Sequence, residues 1–156
     1  MSRKILNLKQ LQKKIAILKK RKKRIVLCHG VFDLLHVGHI KHLKKAKEFG
    51  DKLVVTLTSD RYVNKGPGRP VFNQTLRSES IAAIDSVDYV AINDAPTAIN
   101  PIKIIKPNIY CKGKDYKNVN DDITGEIKNE IREIKKIKGR IAFTEELTFS
   151  SSRLIN

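Results

Sequence analysis

One stretch, Gly30-Val31-Phe32-Asp33-Leu34-Leu35-His36-Val37-Gly38-His39, constrains this chain more than any other. Before it runs Ile25-Val26-Leu27-Cys28, an apolar run of the buried-strand kind. After it, residues 40–49 read as a helix that ends at Gly50. The order is strand, glycine turn, two histidines, helix. The first turn of a helix presents N–H groups without intrahelical partners and the positive end of the dipole, so it attracts phosphate. Histidines three apart at that start share a face and can point at one anion. Gly38 between them removes a side chain where a ligand has to come close. Two other readings stay open. The histidines could cap the helix with no ligand, or hold a metal, since His29, His36, His39 and His42 all fall in this stretch. Structural zinc normally takes four closed ligands, and only Cys28 and Asp33 stand nearby to complete a set.

The strand–helix–strand order continues. Residues 51–60 read as a second buried strand, which makes the first unit a parallel βαβ crossover. Residues 61–70 hold two glycines and two prolines and read as a loop, with Lys65 and Arg69 near the carboxyl ends of the strands, where open α/β sheets bind ligands. A helix over 74–84 is expected behind an Asn73 cap, then a strand over 88–92. Asn100 is expected to cap a short helix with Pro101 at its first position and Pro107 as its stop. Residues 109–112 read as a fourth strand. Ile127, Ile131, Ile134 and Ile137 mark a helix closed by Gly139, and 141–143 a fifth strand. Serines 150–152 open a last helix. The fold class is α/β: a Rossmann-like parallel five-stranded sheet with helices on both faces, in one domain over 25–156.

Residues 1–24 form a separate feature, a basic amphipathic helix. Leu8, Leu11, Ile15 and Leu18 recur at spacings of 3, 4 and 3, and the other face is lysine. These 24 residues hold 11 of the 32 lysines and arginines and no acid. The remainder holds 21 basic against 16 acidic residues, so most of the formal charge of +16 sits at the front. The leucine stripe is expected to dock on the domain or on a partner subunit. A nucleic-acid arm is the rival, weakened by the lack of interleaved aromatics. No apolar run approaches a membrane span, and no signal-peptide centre stands at the front. Cys28 and Cys111 sit in strand-like runs and read as core residues of a reducing cytoplasm.

Residues 30–39 resemble the signature of the cytidylyltransferase-like nucleotidyltransferases, whose hallmark is HxGH, here His36-Val37-Gly38-His39. The resemblance runs from about residue 25 to the end of the chain. It implies that Gly30, Val31, Phe32 and Gly38 line the nucleotide, with His36 and His39 catalytic. Lys65 resembles the lysine that meets the phosphate of the second substrate, and Arg77 an arginine near the nucleotide phosphates; a surface arginine is the plain alternative. Lys112-Gly113-Lys114-Asp115-Tyr116 resembles the segment along base and ribose, with Lys112, Gly113 and Asp115 as binding residues. Ser150, Ser151 and Ser152 resemble the second motif, which binds the triphosphate; an ordinary helix cap is the alternative. Asp33 reads as a turn residue bonded to local backbone.

Two branches resemble the chain most: the adenylyltransferase that makes ADP-heptose, often fused to a sugar kinase, and glycerol-3-phosphate cytidylyltransferase. Residues 65–71 and 112–116, the helix before the first strand, and Asp85 where the second branch carries arginine all favour the heptose branch. No kinase domain is visible, so a stand-alone transferase is expected. The segment 121–138 is longer than either branch leads one to expect. The implied reaction joins a nucleoside monophosphate, from ATP by preference, to a sugar 1-phosphate, with Mg²⁺ bridging substrate phosphates and no protein metal ligand. A homodimer is a possible assembly. The rival of another class is a nucleic-acid-binding module without catalysis. Its binding would collapse with salt and vanish on removal of residues 1–22, leaving nucleotide chemistry intact.

Overall fold

The computed structural model describes residues 2–113 and 126–145. Five parallel strands form one sheet: β1 (Ile25–Gly30), β2 (Lys52–Thr58), β3 (Tyr89–Asn93), β4 (Ile109–Gly113) and β5 (Arg140–Thr144), in the order β3-β2-β1-β4-β5. The chain winds outward from β1 in one direction, then returns and winds in the other. Such a reversal opens a crevice at the carboxyl ends of the two strands it separates, here β1 and β4. The register sharpens it. β1 pairs with β2 over six positions, but with β4 only at Val26↔Ile109 and Leu27↔Tyr110.

Strand alternation divides the core between the two faces. Val26, Cys28, Leu53, Val55, Leu57, Val90, Ile109 and Cys111 share one cluster with Leu43 and Ala46 of α2 (Val37–Lys47) and Ile81 and Ala82 of α3 (Gln74–Ala82). Ile25, Leu27, Val54, Ala91 and Tyr110 share the other with Leu11 and Ile15 of α1 (Leu8–Lys20), Ile102 and Ile105 of α4 (Ile99–Ile105), and Ile134 of α5 (Glu126–Lys136). Both sheet faces are covered, which is why the strands read as unbroken apolar runs. Cys28 and Cys111 are buried free thiols. No described helix is long and apolar enough to cross a membrane.

The leucine stripe of α1 is spent inside the chain: Leu11 is 0% and Ile15 2% exposed. Asn7 and Gln10 close a reciprocal capping box at its start, and ahead of it Ile5 bridges Val90 on the outer edge of β3. The backbone of Val90 donates to Lys4 and accepts from Leu6. Removing residues 1–22 therefore strips core and sheet edge together. It does not separate a basic arm from an intact domain, which corrects the truncation expectation.

Two helix ends also differ from the sequence reading. Asn100 does not cap α4. The cap is Ala98, and Thr97 Oγ1 accepts from the Ile99 N–H at 3.3 Å. Pro101 thus sits third in the helix, where a missing N–H still costs no intrahelical bond. After α5 the residue in the left-handed region is Lys138 (φ 60°), not Gly139. Gly139 answers a steric need instead: a Cβ there would stand 2.8 Å from the Pro107 carbonyl oxygen.

Candidate active site

A cavity of about 410 Å³ opens at the β1/β4 reversal. Its lining includes Gly30, Val31, Phe32, His36, Gly38 and His39 from the signature, Lys65 from the following loop, and Lys112 and Gly113 from β4.

The signature is built as a chain of steric and hydrogen-bonding requirements. Phe32 lies in the left-handed region (φ 50°) and folds its ring back over Gly30, where any Cβ would meet the ring at 2.9 Å. That ring meets His39 in an edge-to-face arrangement, centroid to centroid 5.5 Å. His36 is the N-cap of α2. Its Nδ1 accepts from the Gly38 N–H at 3.0 Å, while His39 Nδ1 accepts from the His36 N–H at 3.3 Å. This is a capping box made of two histidines, stacked at 3.9 Å. An acceptor Nδ1 in a neutral imidazole leaves the proton on Nε2. His39 is neutral at ordinary pH: burial, then the charges of His36, His42 and Lys65, lower its pKa to about 4. Capping and ligand binding are thus compatible here: the box uses one nitrogen of each ring and fixes the donor on the other.

The other two histidines line the cavity as well. His29 meets Thr56 Oγ1 at 2.8 Å and Thr58 Oγ1 at 3.4 Å, and burial followed by the Lys112 charge lowers its pKa to about 3. His42 meets Thr144 Oγ1 at 2.8 Å and is lowered to about 4 by the same two causes. Among the described residues no three of His, Cys, Asp and Glu converge on a metal-sized point.

Asp33 is not a local turn residue. It is 2% exposed and accepts from Arg69 Nε at 2.7 Å, the Val71 N–H at 2.8 Å and the Phe72 N–H at 3.0 Å. Burial alone would raise its pKa; the Phe72 and Val71 N–H groups and Arg69 outweigh that and hold it low. The carboxylate thereby pins the loop that carries Lys65. Desolvation at the wall and then the Arg69 charge lower the Lys65 pKa, with Asp33 pulling the other way.

Arg77 stands apart from its expected place. It does not line the cavity, and it is no surface residue either: it is 1% exposed. Its Nε donates to the Phe72 carbonyl at 3.0 Å, Nη1 to Val31 at 2.9 Å and Thr58 at 2.8 Å, and Nη2 to Asp60 Oδ1 at 2.7 Å. With four of its five N–H donors used in this way, Arg77 ties together the backbone and loops beside the site. Asp115, Ser150, Ser151 and Ser152, with Lys114 and Tyr116, lie outside the described residues.

Sequence reasoning missed Glu126 and Glu130, which line the cavity from α5. A signal existed. Ile127, Glu130 and Ile134 are spaced 3 and 4 and share the buried stripe, so position 130 puts an acid where the helix wants an apolar residue.

The sequence model of the family described as Cytidylyltransferase-like matches residues 27–156. The chain belongs to that family. Among curated relatives of this cytidylyltransferase-like chain are the "Bifunctional protein HldE" of a Nitratiruptor species, 45% identical over 79% of this chain and 27% of that protein, and that of Geobacter metallireducens, 47% identical over 72% and 24%. The HldE protein of Citrifermentans bemidjiense is 40% identical over 97% of this chain and 30% of its own length. The chain thus spans about a quarter to a third of the relatives it matches. Of solved structures, a lipopolysaccharide core biosynthesis protein from Thermoplasma volcanium is 26% identical with a TM-score of 0.67, covering 81% of this chain and 99% of that one. A pantoate-beta-alanine ligase from Francisella tularensis, 20% identical with a TM-score of 0.67, covers 97% of this chain and 72% of that one, and shares the fold.

Proposed function

We propose that this domain transfers a nucleoside monophosphate from a nucleoside triphosphate, ATP by preference, to a sugar 1-phosphate, heptose 1-phosphate first among them, with release of pyrophosphate. The observation that carries the reading is the two-histidine capping box, which holds two Nε2–H donors at a helix N-terminus beside Lys65. The heptose assignment draws on the resemblance of residues 65–71 and 112–116 to that branch and on the similarity to HldE proteins.

In this mechanism a phosphate oxygen of the acceptor attacks the α-phosphorus in line. The bond from that phosphorus to the bridging oxygen breaks, and pyrophosphate leaves with the electron pair. No protein nucleophile is required, so catalysis rests on positioning and charge neutralisation. His36 and His39 donate from Nε2 to phosphate oxygens as charge builds on them. Lys65 holds the acceptor phosphate. The first N–H groups of α2 add their dipole. Serines 150–152 are proposed to hold the triphosphate. Mg²⁺ carried by the substrate phosphates is part of the proposal; Asp33 is not offered as its ligand, because its oxygens are spent on Arg69, Val71 and Phe72. When bound, the ion would neutralise phosphate charge.

The test is pyrophosphate release with Mg²⁺, crossing ATP and CTP against heptose 1-phosphate and glycerol 3-phosphate. His39→Ala should lower kcat by about 10²–10³, the scale of one lost transition-state donor. Turnover near normal in that variant would remove His39 from the mechanism. Release only with CTP and glycerol 3-phosphate would replace the heptose reading by the polyol one.

A further inference from the structure

The cavity wall is not uniformly basic. His36, His39 and Lys65 stand on one part of it, while α5 brings Glu126 and Glu130, one turn apart, to another. Glu130 is 5% exposed, and its Oε2 lies 3.7 Å from Lys112 Nζ. That ammonium lies 5.4 Å from the centre of the Tyr110 ring and 3.4 Å from its hydroxyl. Lys112 lines the cavity together with His29 and His42. A carboxylate in the stripe between Ile127 and Ile134 is costly to desolvate, and an apolar residue there would extend the core at no such cost.

Function supplies a reason for the carboxylate. In a cavity that grips phosphate, an acid repels that end of the ligand and suits an end rich in hydrogen-bond donors. On a nucleoside triphosphate the donors are the ribose hydroxyls and the base amino group. The topology agrees. Lys65 follows β2, on one side of β1, whereas Lys112 and Glu130 belong to β4 and α5 on the other. Acceptor phosphate and Glu130 therefore lie across the reversal from each other.

We propose that Glu130, held against Lys112, is a specificity-determining residue whose carboxylate accepts a hydrogen bond from a ribose hydroxyl or base amino group of the bound nucleotide. The proposal rests on the nucleotidyl-transfer reading above. Its test is equilibrium binding to the full chain. The probes are ATP or CTP, whichever binds more tightly, its 2′-deoxy and 3′-deoxy forms, its deaminated form (ITP or UTP), and inorganic tripolyphosphate.

The unsubstituted chain should bind one analogue about tenfold or more weakly than the parent, the size of a lost hydrogen bond to a charged group. A deoxy form identifies the ribose and the deaminated form the base. Glu130→Gln should bind the parent about tenfold more weakly, no longer distinguish that analogue, and bind tripolyphosphate as before. Equal binding of parent and all analogues by the unsubstituted chain overturns the proposal, even if the variant fails to fold. An effect of Glu130→Gln on the acceptor KM alone overturns it too. Tripolyphosphate bound as tightly as any nucleotide overturns the Glu130 role and leaves the phosphate grip standing. Neither bound overturns the nucleotidyl-transfer reading, and this proposal with it.

Discussion

Arg77 carries its guanidinium into the core and puts four of its five N–H donors to use there. It holds the carbonyls of Val31, just after β1, and Thr58, the last residue of β2, together with the Phe72 carbonyl and the Asp60 carboxylate from the connection between β2 and α3. Lysine cannot reproduce the planar fork that serves them together. Arg77→Lys should destabilise the protein by about 3–5 kcal/mol in urea unfolding, the scale of a broken buried pair. Nucleotide affinity of the folded fraction should stay within about twofold, well below the effect of losing a charged phosphate contact. Weaker nucleotide binding at unchanged stability would restore the direct phosphate role. Asp33 teaches the same lesson from the acid side, since its partners lie 36 to 39 residues away. A sequence shows that such a residue is charged. It does not show which distant loop supplies the countercharge.

At the scale of elements, helix ends are where the chain departs most from simple rules. α1, α4 and α5 are followed by Lys22, Lys106 and Lys138 in the left-handed region, with φ of 62°, 53° and 60°. Glycine is the usual choice there, because a side chain costs about 1–2 kcal/mol in that conformation. Lys138→Gly should therefore stabilise the protein by about 0.5–1 kcal/mol once the greater freedom of unfolded glycine is subtracted. A lower thermal midpoint in the variant would contradict this. The strands were legible because both sheet faces are covered, so each reads as an apolar run between glycine or proline breaks. The signature was legible because glycine, phenylalanine and two histidines each answer a separate local demand. The docking of α1 was only half legible: the periodicity of Leu8, Leu11, Ile15 and Leu18 says that a face is buried, not against what. The buried charges in and around the cavity were least legible. Glu130 hides in an isoleucine stripe, and Arg77 shows the same helical spacing whether it points in or out.

Across the whole molecule, three neutral histidines make stability depend on acid. His29, His39 and His42 have an ordinary pKa of 6.5 when unfolded and about 3, 4 and 4 when folded. Between those values the unfolded chain binds more protons than the folded one, so stability falls as pH falls. Their contribution is complete above pH 6.5 and shrinks toward pH 4. Urea midpoints measured from about pH 7.5 to 4.5 should drop, and a variant with His29 replaced by Gln should drop less steeply. A flat profile would mean that the rings take up protons without loss of structure. The seam between β1 and β4 has a different consequence. The two strands share only two paired positions before they part, so the opening is a property of backbone register and not of any one side chain. Substitutions along α5 or the Lys65 loop can then redecorate the chamber without closing it. The scaffold keeps the chamber itself fixed while leaving its lining open to gradual change.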